Sequence, residues 1–248
     1  MAEYIISKLA IFFPDFGMIL ILGPIFLVWS IIIAMGVGCL RIEKGLGTPY
    51  TRKIFHFVIF TSAALIHLLL GLTGAALFGG IVTSLVLYAV LRGDGFPFYE
   101  ALARPSDSPF RSRFILIPLF ATALGGITVN LLFPVYAYIG YLVAAWGDAV
   151  GEPVGTRWGK HRYAVPSLFG QRVTRSWEGS TAVFVASALA AMAGLWIHSI
   201  GIGNAVIIGM ICAGICTLIE AISHHGMDNF TVQVGAAGTI FFLARVFL

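Results

Sequence analysis

Two acidic residues, Asp148 and Glu152, stand four positions apart between long apolar segments. On a helix this spacing places both carboxylates on one face. Carboxylates at the edge of a membrane are energetically costly and commonly functional, and such a pair can hold a Mg²⁺ whose other ligands are phosphate oxygens and water. The spacing therefore favours a metal site over the alternative, two solvated charges at a helix end.

A cluster of cations follows the acidic pair within a polar segment, residues 147–180. Its members are Arg157, Lys160, His161, Arg162 and Arg175. A metal and cations together can neutralise a triphosphate, and the same charges accelerate phosphoryl transfer. Taken alone, the cations would favour contact with lipid headgroups. Directly after an acidic pair they indicate a catalytic region that binds a nucleotide, although the chain has no Walker A sequence.

Glycines recur at every fourth position in the same segment, as Gly147, Gly151, Gly155 and Gly159. On a helix they form a smooth stripe that a ligand or a second helix can approach closely. The two interpretations have equal support, so Gly151 and Gly155 are candidates for phosphate contact as well as for packing. Pro153 removes a backbone hydrogen bond and is expected to kink the helix or end it nearby.

The polar segment closes with the start of another helix. Ser176 is expected to cap that helix, and the free N–H groups around Gly179 are suited to a phosphate. Glu178, in the same turn, is a candidate to bind metal or to orient a reacting group.

Two further polar clusters lie outside this segment, each beside an apolar stretch. They comprise Arg52, Lys53 and His56 in one case, and Glu220, Asp228 and Asn229 in the other. Arg52 and His56 share a helical face and could contact phosphate or a substrate hydroxyl, although membrane anchoring explains Arg52 and Lys53 almost as well. Glu220 is a candidate general base for a lipid alcohol. Asp228 is a candidate metal ligand or alternative base, and Asn229 is a candidate phosphate contact. His67 is interpreted as a packing or interface residue without a partner.

The composition requires a membrane to surround these clusters. The 248 residues are 59% hydrophobic and 10% charged, whereas a soluble domain has about 25% charged residues. An all-α transmembrane bundle in a single domain, residues 1–248, is therefore predicted, with an interfacial helix within residues 1–16 and no basic face for nucleic acid. Eight segments are long and apolar enough to be spans: residues 17–39, 54–71, 74–91, 114–132, 134–150, 180–199, 203–222 and 230–247.

The basic residues predict which side the polar connections face. Of the 15 Lys and Arg residues, all but Lys8 and Arg245 belong to the connections after the first, third and fifth spans, and the polar connection after the seventh lies on the same side. The positive-inside rule then places these connections, and the catalytic region, in the cytoplasm, with both termini on the opposite side. The membrane would be a prokaryotic plasma membrane or that of an organelle such as the endoplasmic reticulum. Residues 92–113 are expected to be a solvated connector with aromatic anchors.

Three motifs together resemble the polyprenol kinase family, the CTP-dependent dolichol, phytol and farnesol kinases. They are RKIFHF at 52–57, GDAVGEPVGTRWGKHRY followed by RSWEGS within 147–180, and EAISHHGMDN at 220–229. The central motif alone is also similar to CDP-diacylglycerol synthases, and the two flanking motifs favour the kinases. Arg175 stands where the kinase family often has lysine, which keeps the charge and changes the geometry.

The resemblance implies CTP as phosphoryl donor, Mg²⁺ and a membrane isoprenoid alcohol as acceptor. The positions that match the family motifs directly include Asp148, Lys160, His161, Glu178 and Gly179. Neither the particular lipid nor the carboxylate that acts as base follows from it, and the oligomeric state stays open, a homodimer included. The alternatives are a phosphatidate cytidylyltransferase, a CTP-dependent diacylglycerol kinase and, outside the enzymes, a small anion transporter.

Overall fold

The protein is a bundle of helices with one short pair of strands, as seen in a computed structural model that describes residues 10–165, 173–224 and 226–247. The helices are α1 (Phe16–Ile42), α2 (Thr48–Arg92), α3 (Pro97–Leu102), α4 (Arg113–Leu132), α5 (Ala137–Trp158), α6 (Trp177–Ile197), α7 (Ile202–Ile222) and α8 (Asp228–Phe247). Between α5 and α6, strands β1 (Arg162–Val165) and β2 (Val173–Ser176) pair antiparallel. Within these residues, α1, α2, α4, α6, α7 and α8 are long and apolar enough to cross a membrane. The protein is therefore an integral, multi-pass membrane protein. The strand pair and the short helix α3 were not predicted.

Helix α2 contains two predicted spans in one element. Its 45 residues would measure about 68 Å if straight, roughly twice the apolar thickness of a bilayer. Gly71 interrupts it with φ 71° and ψ −165°, a conformation that glycine adopts without strain. The chain reverses there, because the ring of Phe98, just beyond α2, lies 5.0 Å from the ring of Phe55 near its start. The predicted spans 54–71 and 74–91 are the two halves.

Helix α5 is the central helix of the bundle. It is buried almost continuously from Ala137 to Ala149 and contacts α2, α6 and α8 along its length. Because protein rather than lipid surrounds it, α5 can carry polar side chains at membrane depth. It passes through Pro153 and continues to Trp158. The helix therefore does not end at Pro153. The predicted span 134–150 falls in its buried part, and α5 is not among the six helices that are long and apolar enough to cross a membrane.

The glycine stripe of α5 packs against α6. A Cβ atom added at Gly151 would lie 2.7 Å from Val183 Cγ2, and one at Gly155 would lie 2.9 Å from Ser176 Oγ. On the facing helix, a Cβ at Gly179 would lie 2.8 Å from the carbonyl oxygen of Gly151. These glycines allow two backbones to approach too closely for any side chain.

Replacing Gly179 with alanine should therefore destabilise the bundle. The new methyl group would meet backbone, which cannot rotate away, and overpacking of this kind costs about 1–3 kcal/mol. Thermal unfolding in detergent should show a lower Tm. The matched control is Gly214→Ala in α7, where an added Cβ has no neighbour within 4 Å, and an unchanged Tm for both variants would contradict the packing account.

The connector between α2 and α4 is part of the core. Residues 92–113 were expected to be solvated, which is wrong for α3, because Phe98 and Tyr99 are each only 3% exposed. Thr51 Oγ1 donates to the carbonyl oxygen of Ala101 at 2.7 Å, and Arg111 Nη2 donates to Glu100 Oε2 at 2.7 Å. That hydrogen bond to Glu100 raises the pKa of Arg111. The segment thus has a fixed position beside the start of α2.

The N-terminal segment is described from Ala10 onward. Residues 1–9 of the predicted interfacial helix lie outside the described residues, so this prediction is not tested there. From Ala10 the chain turns into α1, which Asp15 caps by accepting a hydrogen bond from Met18 N at 2.9 Å.

Candidate active site

The charged residues of α2, α5, α7, α8 and β2 converge on one polar cavity of about 240 Å³. Of the residues predicted from the sequence, its walls contain Arg52, Lys53, Asp148, Gly151, Glu152, Gly155, Arg162, Arg175, Ser176, Gly179, Glu220 and Asp228. The polar segment and both outlying clusters thus meet at one end of the bundle.

Asp148 is held by two residues of α2. Lys53 Nζ lies 2.6 Å from its Oδ1 atom, and His56 Nε2 lies 3.5 Å from its Oδ2 atom. The same His56 nitrogen lies 3.1 Å from the carbonyl oxygen of Ala144, and its ring stacks on Phe60 at 4.1 Å between centroids. The RKIFHF motif therefore acts on α5, by fixing the side chain of Asp148.

Glu152 faces cations instead of the other carboxylates. Its oxygens lie 3.4 Å from Arg104 Nε and 3.9 Å from Arg52 Nη2. Burial lowers the pKa of Arg104, and the neighbouring Arg52 lowers it further. Arg104 was missed in the sequence, because an isolated arginine in a proline-rich connector looks like a topology signal. Thr156 and Thr174 also line the cavity and gave no signal, whereas Ser180, which lines it too, belongs to the RSWEGS motif.

Arg175 joins the second acidic cluster to the strand pair. Its guanidinium lies 2.6 Å from Glu220 Oε1 and 3.0 Å from Asp228 Oδ2. Burial alone would lower the pKa of Arg175, but the carboxylates of Glu220 and Asp228 outweigh it and raise the value. Arginine suits this position because its fork of donors reaches two carboxylates at once.

Three buried carboxylates fit a divalent cation. One oxygen from each of Asp148, Glu220 and Asp228 lies within 4.8 Å of the other two. Glu220 Oε2 is buried and has no hydrogen-bond partner in the described parts of the chain. Hard oxygen ligands of this kind are those that Mg²⁺ prefers. The geometry thus brings the predicted metal ligands Asp148 and Asp228 together with Glu220, which was predicted only as a base, whereas Glu152 faces arginines.

Some predicted residues lie away from the cavity. Glu178 accepts from His161, whose Nδ1 lies 2.8 Å from Glu178 Oε1, and this pair joins the strand hairpin to the start of α6. Arg157 and Lys160 are exposed, and Arg157 lies over the ring of Trp158 at 5.0 Å. Ser176 caps α6 as predicted, by accepting a hydrogen bond from Gly179 N at 3.1 Å.

A second, apolar cavity of about 560 Å³ opens onto the polar one. The two share Arg52, Lys53 and Asp148 in their walls. His56 and Asn229 line only the apolar cavity, and Asn229 Nδ2 donates to Thr122 Oγ1 at 2.9 Å. The polar cavity and the apolar cavity therefore meet at the Lys53–Asp148 pair.

Comparison with known proteins agrees with this arrangement. The chain is 33% identical over 192 residues to the phytol kinase of Synechocystis sp., a match that covers 75% of this chain and 76% of that protein. No protein-family model matches the chain, and neither does any solved structure.

The protein is a membrane phosphotransferase with an alcohol acceptor. The 33% identity to a phytol kinase extends over three quarters of the chain. The chain belongs to the polyprenol kinase family.

Proposed function

We propose that the protein transfers the γ-phosphate of CTP to the hydroxyl group of a membrane isoprenoid alcohol, with Mg²⁺ bound beside the phosphates. The observation that carries the proposal is the shared wall of the two cavities. The arginine-lined polar cavity suits a phosphate chain, and the apolar cavity suits an isoprenoid chain. The only side chains that face both are Arg52, Lys53 and Asp148 within the described residues, so the reacting hydroxyl and phosphorus meet there.

The polar cavity supplies the charges that phosphoryl transfer requires. Arg52 Nη1 is buried without a hydrogen-bond partner among the residues described, so it is available to a phosphate oxygen. Arg104, Arg162 and Arg175 line the same cavity. Asp148, Glu220 and Asp228 would hold the metal, which when bound neutralises phosphate charge and favours attack.

The acceptor hydroxyl would be oriented from the apolar side. His56 and Asp148 face that cavity, whereas Glu220 and Asp228 line only the polar one. We therefore assign the hydroxyl's hydrogen bond, and the removal of its proton, to Asp148 with His56 as its positioning partner. Lys53, 2.6 Å from Asp148, keeps that carboxylate ionised and aimed between the two cavities. Glu220 and Asp228 belong to the phosphate side.

The orientation in the membrane belongs to the same proposal. Connections rich in arginine and lysine converge at the polar cavity, and the positive-inside rule assigns them to the cytoplasm, where CTP is found. Both termini would then face the opposite side.

A substrate matrix tests the proposal. Purified protein in detergent is incubated with CTP, ATP, GTP or UTP and with farnesol, geranylgeraniol, phytol, dolichol or diacylglycerol. The lipid products are then separated and identified by mass spectrometry. We expect a monophosphate from CTP with an isoprenoid alcohol, its formation lost on chelation of divalent cations and restored by Mg²⁺. Phosphatidic acid as the sole product would instead support the diacylglycerol kinase, and no lipid phosphate from any pair would contradict the proposal.

A further inference from the structure

The apolar cavity follows α4 almost from end to end. Its wall runs along that helix from Phe114, near the charged end, to Asn130, two residues from the other end. On α5 the wall extends from Asp148 back to Tyr141. The cavity therefore begins at the polar cavity and reaches deep into the bilayer, and polar side chains stand at its far end.

Two polar residues of the cavity wall, Asn130 and Tyr141, stand at this far end, and His67 contacts Asn130. His67 Nε2 lies 2.7 Å from Asn130 Oδ1, and Asn130 Nδ2 donates to Tyr141 Oη and, at 2.8 Å, to the carbonyl oxygen of Gly126. These bonds connect α2, α4 and α5 at one level of the membrane. Hydrogen-bonded groups at this depth are difficult to displace, so the His67–Asn130–Tyr141 cluster is a fixed obstacle. The prediction that His67 has no partner was wrong, because Asn130 is its partner.

Two helices give the same distance from the reacting end to this cluster. Pro118 marks the reacting end of α4, because its carbonyl oxygen accepts from Asn229 Nδ2, beside Asp228, at 3.3 Å. His56 and His67 are eleven residues apart on α2, and Pro118 and Asn130 are twelve apart on α4. At the rise of an α-helix these separations are about 17 and 18 Å. An extended chain advances about 1.2 Å per bond, so about 14 bonds fit. Each isoprene unit adds four backbone bonds, which corresponds to about three to four units.

We propose that the acceptor's hydrocarbon chain lies in the apolar cavity and that the His67–Asn130–Tyr141 cluster is its floor, so that acceptors of about three to four isoprene units are selected. This inference rests on the proposed kinase function. It assigns a role in specificity to residues that lie well away from the reacting groups.

Gly126 offers a way to raise the floor by one turn. It lines the cavity four residues before Asn130, which is about 6 Å nearer the polar end. An added Cβ would lie 3.5 Å from Tyr141 Oη, an ordinary contact, so alanine is tolerated. A leucine would project farther into the cavity and occupy about the length of one isoprene unit.

The test is a chain-length series with CTP and purified protein. Geraniol, farnesol, geranylgeraniol and a long polyprenol are compared as acceptors for the wild type, Gly126→Ala, Gly126→Leu and Asn130→Ala. We expect the wild type to prefer farnesol and geranylgeraniol. Gly126→Leu should lower kcat/KM for geranylgeraniol relative to geraniol at least about tenfold, with alanine intermediate. Asn130→Ala should shift the preference towards longer acceptors.

The control is Leu124→Ala, a lipid-facing residue of α4 that is 55% exposed and should leave the profile unchanged. The selectivity ratio, unlike total activity, does not change when a variant merely folds less well. If the wild type used the long polyprenol and geranylgeraniol equally well, the acceptor's hydrocarbon chain would leave the cavity sideways. That result would contradict the proposed floor and leave the kinase proposal intact. Absence of lipid phosphate with every alcohol would instead contradict the kinase proposal itself.

Discussion

Asp148→Asn should lower kcat for lipid phosphorylation at least about a hundredfold, a loss comparable to that of a key electrostatic group in other enzymes. Asp148 lines both cavities, lies 2.6 Å from Lys53 Nζ and is one of the three carboxylates suited to a divalent cation. Asparagine retains the shape and removes the charge, so it would weaken the metal site and the contact with the acceptor hydroxyl together.

The measurement for this variant is initial rate with saturating CTP and alcohol, with size-exclusion chromatography and Tm to verify folding. Asp94→Asn is a matched control, because Asp94 is also an ion-paired carboxylate, 2.5 Å from Arg111, but lies outside both cavities. Near-normal turnover by a folded Asp148→Asn protein would remove Asp148 from the reaction.

Arg175→Ala should be the most destabilising change in the polar cavity. It leaves Glu220 and Asp228 buried without the guanidinium that lies 2.6 and 3.0 Å from them, and removal of one partner from a buried ion pair costs about 3–5 kcal/mol. Tm in detergent should fall sharply. Because a divalent cation could then neutralise the carboxylates, millimolar Mg²⁺ should raise the Tm of this variant more than that of the wild type.

Arg92→Ala serves as the control for Arg175→Ala, since Arg92 is exposed, donates to Tyr88 Oη at 3.0 Å and lies 5.4 Å from the ring of Phe96, outside the polar cavity. Its Tm should change little, with or without Mg²⁺. If Mg²⁺ stabilised Arg175→Ala no more than the wild type, the carboxylate cluster would not bind the cation, and the metal assignment would be wrong.

Much of the fold could be predicted from hydropathy because each lipid-facing helix must be apolar over its own length. The break at Gly71 was predictable for the same reason. The extent of α5 was not, since Pro153 looks like a terminator in isolation. Close packing of Gly151 and Gly155 against α6 supports the helix beyond that point, and a packing effect of this kind depends on a partner that local sequence does not specify.

The candidate site was predictable as a set of residues but not as a set of pairs. Sequence spacing placed Asp148 and Glu152 on one face, yet it could not show that Lys53 is the partner of Asp148 or that Glu152 faces Arg104. Those pairs join residues far apart in the chain. For His161 and Glu178 the motif predicted a functional role for each residue. In the structure the two contact each other and join the hairpin to α6.

The central claim is that the terminal phosphate of CTP reaches the lipid, and isotope position tests it most directly. Purified protein is supplied with CTP carrying ³²P at either the γ or the α position, with geranylgeraniol or with phosphatidic acid as acceptor. The account predicts label in the lipid from γ-labelled CTP and geranylgeraniol, and none from α-labelled CTP. Label in the lipid from α-labelled CTP and phosphatidic acid, with the γ label in pyrophosphate, would identify a cytidylyltransferase and contradict the account.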